Sequence, residues 1–217
     1  MNKNTTITIV ASVIIIFGFL ALVYQSSIQK DQKAAVPIEG VSKTQADDHV
    51  KWASEGATLL VEYSDFQCPA CGSFFPVIKS LGADPEIADN VQFTYRHYPL
   101  QQIHKNAEPA ALAAEAAGAQ GSFYEYHDLL FENQSQWSEV GDPQELFEQY
   151  AQELELDIEQ FRTYAKSDEA KAKVDNDKLS GNQAGVSGTP TLFLNGVKMN
   201  YSTIDDFTSQ VKAAIAK

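Results

Sequence analysis

Residues 58–81 read TLLVEYSDFQCPACGSFFPVIKSL, and this stretch decides the fold. Thr58 to Ser64 is a short, nearly continuous apolar run, the pattern of a central strand covered on both faces in a mostly parallel sheet. Phe74, Phe75, Val77, Ile78 and Leu81 then recur at helical spacing and predict one apolar helix face. Cys68 and Cys71 therefore open a helix. Pro69 falls at the first helical position, where its missing N–H costs nothing, and Pro76 falls inside, where a kink is expected.

Outward from this unit, Val91 to Tyr98 alternates Val91, Phe93 and Tyr95 with Gln92, Thr94 and Arg96, which predicts a half-buried strand and completes a βαβ unit. The chain then turns helical over about 104–185, too long a span for a loop. Ser122 with Glu125 and Asp142 with Glu145 have capping-box spacing, and Pro143 follows its cap at the favoured position. Phe123, Tyr126, Leu129 and Leu130 form one apolar stripe, and Leu146, Phe147, Tyr150 and Leu154 another. Phe161, Tyr164 and Val174 continue the series, and these stripes are expected to be core. Thr191 to Leu194, the Asn195-Gly196 turn and Val197 to Met199 then predict a hairpin. Thr203 with Asp206 caps a last helix whose Ile204, Phe207, Val211 and Ile215 share a face. The order is βαβ, helices, ββα: an α/β domain with an all-helical insertion.

Ahead of this domain, Ile7 to Val23 is uncharged and at the short end of what spans a bilayer. The expected organisation is a flank at 1–6, a transmembrane anchor or signal at 7–24, a flexible tether at 25–47 and the domain at 48–217. No small-x-small cleavage pattern is clear after the apolar run, and the single span places the domain on the extracytoplasmic side of the cell membrane. The net charge of −13 over 217 residues, with no basic stripe, excludes nucleic acid as a partner. A monomer is the default.

The chain has two cysteines, both in Cys68-Pro69-Ala70-Cys71. A zinc site lacks two further ligands, since His49, His97, His104 and His127 show no metal spacing; these histidines receive no role. Haem attachment needs histidine where Gly72 stands, and an iron–sulfur cluster needs more cysteines. A purely structural bridge over so short a loop would constrain little chain entropy. What remains is reversible dithiol–disulfide exchange, with Cys68 as nucleophile because the helix N-terminus favours its thiolate. No cofactor beyond this redox-active disulfide, and no metal, is implied.

Glu62-Tyr-Ser-Asp-Phe-Gln-Cys-Pro-Ala-Cys71, the helical insertion and Gly185-Val-Ser-Gly-Thr-Pro-Thr191 occur in order, and together they resemble the DsbA-like branch of the thioredoxin superfamily from Asp48 onward. The resemblance implies a thioredoxin-like fold and a thiol:disulfide oxidoreductase that introduces disulfides into exported thiol-containing proteins. It implies a quinone-linked membrane partner that reoxidises Cys68 and Cys71. It also implies that Pro190 is cis and lies against the cysteines, leaving the Thr189 backbone to pair with an extended substrate. Glu62 falls where the resemblance places a buried acid that exchanges a proton with Cys71; a salt-bridged Glu62, paired with a lysine, is the other reading. The strongest oxidants of the branch carry histidine where this chain has Ala70, so a moderate oxidant is expected. A reductase or isomerase, and a non-catalytic tethered chaperone or soft-metal module, are the alternatives.

Overall fold

The computed structural model describes residues 37–53 and 56–216. The flank at 1–6, the anchor at 7–24 and the first part of the tether lie outside the described residues. Among the described residues no helix is long and apolar enough to cross a membrane.

Five strands form one sheet in the order β1 (His49–Trp52), β3 (Val91–His97), β2 (Thr58–Ser64), β4 (Thr191–Leu194), β5 (Val197–Lys198). β2 and β3 are parallel, joined through α1 (Pro69–Gly82) and the short α2 (Pro85–Ala88), and the other pairs are antiparallel. The insertion comprises α3 (Ala107–Gly118), α4 (Phe123–Glu132), α5 (Gln134–Trp137), α6 (Gln144–Glu153), α7 (Ile158–Ala165) and α8 (Asp168–Gln183), and α9 (Ile204–Ile215) closes the chain. β2 is central because both its faces are apolar. Leu60 joins Phe93, Tyr95, Phe75 and Phe207 in one core, while Leu59, Val61 and Tyr63 join Phe193, Val186 and Val41 in a second. Each fully buried large apolar side chain contributes about 1.5–3 kcal/mol.

The hairpin follows the predicted turn. Asn195 and Gly196 have φ of 49° and 81°, the left-handed pair that a type I′ turn requires. Asn195 also exchanges hydrogen bonds with the Leu59 backbone, giving to its carbonyl at 2.8 Å and accepting from its N–H at 2.9 Å, which ties the hairpin to β2. Thr203 caps α9 by accepting from Asp206 N. α1 runs unbroken through Pro76, whose ring is on the exposed side.

Three expectations are corrected. β3 is buried along its whole length, not half-buried, because β1 covers its outer edge and the segment ahead of β1 covers Arg96. The tether ends earlier than Asp47: from Pro37 the chain lies on the domain, with Ile38 N donating to Gly196 O at 2.9 Å and Val41 buried in the second core. Its contacts run through Ile38, Val41 and backbone groups, which leave no periodicity to read. Ser122 makes no capping bond, and α6 starts at Gln144, one residue beyond Pro143, with Asp142 Oδ1 accepting from Gln144 N. The side-chain caps within the insertion are instead Asp157 for α7 and Ser167 for α8.

The covering segment is fixed by charge. Arg96, fully buried, donates to both carboxylate oxygens of Asp48 at 2.8 and 2.9 Å, to Gly40 O at 2.7 Å and to the Tyr63 hydroxyl at 3.1 Å. Lys173 on α8 stands 4.0 Å from the same carboxylate and 2.6 Å from buried Asp177.

Candidate active site

The end of β2 delivers the chain to a tight turn, Asp65 to Cys68, closed by Cys68 N donating to Asp65 O at 3.0 Å. Cys68 is the N-cap of α1 with extended backbone, and Pro69 is the first helical residue as predicted. Cys71 sits one turn in and is fully buried, whereas Cys68 keeps 7% of its surface exposed at the mouth of the helix. Both are free thiols. The Thr189–Pro190 peptide is cis, and the Cys68 sulfur lies 3.5 Å from the Thr189 carbonyl oxygen, to which it donates when protonated. Cys68, Cys71, Thr189 and Pro190, far apart in sequence, therefore meet at one end of the sheet.

The two thiols differ in chemistry. The Cys71 thiol donating toward Cys68 pulls the Cys68 pKa down to about 5, helped by the Thr189 side chain and the N–H groups of Cys71 and Ala70 and opposed by partial burial. Burial pushes Cys71 far above the ordinary thiol range, and the Cys68 sulfur and Glu62 push it further. Cys68 is thus a thiolate at neutral pH and the accessible nucleophile, and Cys71 is the thiol that must exchange a proton whenever the disulfide opens or closes.

Glu62 lies beneath the pair, 4% exposed. Burial lifts its carboxyl from 4.5 to about 7, against a weaker pull from the Ser64 hydroxyl on the same strand face. No basic side chain pairs with it among the described residues, so the salt-bridged reading finds no partner here. A carboxyl that titrates near pH 7 beside a buried thiol has the properties of a proton donor and acceptor for it. Replacing Glu62 with Gln is expected to slow disulfide opening and remove a pH inflection near 7 from the exchange rate, measured by stopped-flow reduction.

The same replacement tests the energetics. With its pKa raised in the fold, Glu62 supports stability below pH 4.5 and withdraws that support as pH climbs through 7, by about 3 kcal/mol in all. Glu62→Gln should therefore be more stable than the unaltered protein at pH 8 and little different at pH 4. Denaturant titration at the two pH values measures this; equal stability at pH 8 would show that Glu62 is not strained by burial.

Several residues of the site carry no sequence signal. Asp65 Oδ1 accepts from Gln67 N at 2.8 Å, while Oδ2 accepts from Leu100 N at 2.9 Å and meets His104 Nδ1 at 2.7 Å. Gln67 in turn takes Asn106 N at 2.7 Å and gives to Ser138 O at 2.6 Å. These groups fix the redox turn from behind; an Asp two residues before a turn amide was the available hint. His49 and His97 both hold Glu115 Oε1 at 2.8 Å, and despite burial, which raises it, they keep that carboxyl at about 2. They belong to the packing of α3 on the sheet. No metal-holding group of His, Cys, Asp and Glu occurs among the described residues.

The sequence profile of the family described as Thioredoxin matches residues 44–213. The alpha-DsbA1 structure from Wolbachia pipientis superposes with a TM-score of 0.69 at 20% identity, covering 80% of this chain and 93% of that one. Oxidised BdbD from Bacillus subtilis gives 0.69 at 21% identity over 84% and 99% of the two chains. Among curated relatives, the Na(+)/H(+) antiporter NhaA 1 of Salinispora arenicola is 38% identical over 170 residues, which are 78% of this chain and 25% of that protein. The chain thus spans about a quarter of the length of the curated relatives it matches.

Proposed function

The chain belongs to the thioredoxin family, and from that premise we propose that it is a thiol:disulfide oxidoreductase that introduces disulfides into exported proteins. The observation that carries this reading is the division of labour between an acidic thiol at Cys68, at the mouth of α1, and a fully buried, proton-holding thiol at Cys71.

In the oxidising direction a substrate thiolate attacks the Cys68 sulfur of the disulfide. The Cys68–Cys71 bond breaks, and Cys71 leaves with the electron pair and takes a proton from Glu62. A second substrate thiolate then attacks the substrate sulfur of the mixed disulfide and expels Cys68 as a thiolate. The substrate has lost two electrons and the Cys68–Cys71 pair has gained them. Thr189, with its carbonyl at Cys68 and Pro190 following, offers a backbone edge along which an extended substrate pairs. Our reading places the domain outside the membrane as a monomer on a single N-terminal span, with a quinone-linked membrane protein as its oxidant.

Direction follows from thiolate stabilisation, since a stabilised Cys68 thiolate favours the reduced form and makes the disulfide more oxidising. A pKa of about 5 falls between the roughly 7 of thioredoxin and the roughly 3.5 of the strongest oxidants of this kind. The reduction potential is therefore expected between about −270 and −120 mV. Equilibration with glutathione buffers measures it. A value at or below that of thioredoxin would favour the reductase reading, and one near −120 mV would contradict a moderate oxidant.

A further inference from the structure

Helix α5 is four residues long, yet it grips the redox turn twice. Gln134 Nε2 donates to Phe66 O at 2.7 Å and to Cys68 O at 2.9 Å, using both hydrogens of its amide. From the other side, Gln67 Nε2 donates to Ser138 O, the residue that ends α5, at 2.6 Å. The helix is itself anchored by Trp137, fully buried, whose indole N–H donates to Leu130 O at 2.8 Å. A short strap thus joins the helical insertion to the turn that carries Cys68.

Gly72 supplies an independent observation. It lies inside α1 with no left-handed backbone, so its conformation does not call for glycine. Alanine there would be favoured by about 1 kcal/mol of helix propensity. A Cβ at Gly72, however, would stand 2.5 Å from Gln134 Oε1 and 3.0 Å from its Cδ. The glycine leaves room for the Gln134 amide.

We propose that Gln134 is a positioning residue of the redox site, holding the Asp65–Cys68 turn so that Cys68 sits at the mouth of α1 against Thr189, and that Gly72 is glycine in order to admit it. This rests on the reading of Cys68 as the redox nucleophile. The Cys68 carbonyl already accepts the first helical bond from Gly72 N at 3.0 Å, and it belongs to the same residue as the thiolate, while the Phe66 carbonyl lies two residues earlier in the turn. Two amide N–H donors hold these carbonyls and fix the turn. Without them the turn loosens, the thiolate loses its alignment with the helix N–H groups, and both its acidity and its reactivity change.

The test is the pH profile of Cys68 alkylation by iodoacetamide in the fully reduced protein, compared with Gln134→Ala, Gln134→Glu, Gly72→Ala and the double variant Gly72→Ala/Gln134→Ala. Glutamate has the size of glutamine but loses both donors and adds a charge that itself raises a thiol pKa, so Gln134→Ala is the variant that isolates the loss of the donors. In each Gln134 variant the profile should move to higher pH, with alkylation at pH 4 slowed about tenfold, the change that one pKa unit produces in a minor thiolate population. Gly72→Ala should do the same, and should add nothing once Gln134 is alanine. An unchanged profile in Gln134→Ala overturns the proposal, even if its melting temperature falls, because Gln134 would then be structural only. A Gly72→Ala effect that persists in full in the double variant overturns the account of the glycine. Alkylation needs no protein substrate, so an ordinary thiol profile in the unaltered protein, midpoint about 8.5, would count against the oxidoreductase reading instead.

Discussion

Changing Cys71 to serine is expected to turn the protein into a trap. Cys68, still reactive at the mouth of α1, attacks a disulfide-bonded substrate, releasing one substrate thiolate and forming a mixed disulfide that no neighbouring thiol displaces, so covalent adducts accumulate that run as discrete heavier species on non-reducing gels. Changing Cys68 to serine should abolish both exchange and adduct formation, because Cys71 is fully buried and its pKa lies far above neutrality. The loss should be complete, since no other cysteine exists in the chain. Oxidation of a model dithiol peptide measures activity, and mass spectrometry locates the adduct. Adducts formed by the Cys68 variant through Cys71 would reverse the assignment of nucleophile and resolving thiol.

The second large effect concerns stability. Asp48 and Arg96 are both fully buried, and Asp48 supplies two of the charged contacts that let a guanidinium sit beneath the sheet edge. Asp48→Ala leaves Arg96 with the carbonyls of Gly40 and Lys43 and the Tyr63 hydroxyl alone. Breaking such a pair on one side costs about 3–5 kcal/mol, or roughly 6–20 °C of melting temperature for a domain of this size. The consequence extends to order, because Arg96 also holds the segment from Gly40 to Lys43 that covers β3. Thermal melts check the magnitude, and hydrogen exchange at residues 38–48 checks the location. The paired replacement Asp48→Leu/Arg96→Met should recover most of the loss, since it removes both charges together. A single variant that melts within about 1 °C of the unaltered protein would mean that the pair adds little.

The parts of this fold that were legible in the sequence are those with local causes. The run Thr58–Ser64 reads as a two-faced strand because its apolar residues are nearly continuous, the cysteine helix follows from its apolar spacing, and Asn195-Gly196 specifies its turn by backbone conformation alone. β1 carries no such signal: His49 to Trp52 is four residues of mixed character whose place is fixed by pairing with β3, not by its own pattern. The same partner explains why β3 is buried where alternation implied one wet face. Arg96 looks solvent-facing until Asp48 and the covering segment are in place, and Gln92 until the strands on either side of it are.

The site divides in the same way. The cysteines announce themselves by spacing, and the family pattern pointed to Thr189, Pro190 and Glu62. The residues that hold the redox turn do not announce themselves: His104 reaches Asp65 across 39 positions, Asn106 reaches Gln67 across 39, and Gln134 reaches Cys68 across 66. Each is a polar residue on or beside a helix, and without the fold nothing distinguishes it from a solvated one.

The central claim is that the Cys68–Cys71 disulfide accepts electrons from substrate thiols through Cys68. The most direct measurement mixes the oxidised protein with one equivalent of a reduced dithiol peptide at pH 7, quenches in acid, alkylates and weighs both products. The account predicts a cyclised peptide two hydrogens lighter and a protein alkylated at both cysteines. A peptide that keeps its thiols beside an intact Cys68–Cys71 disulfide would contradict it.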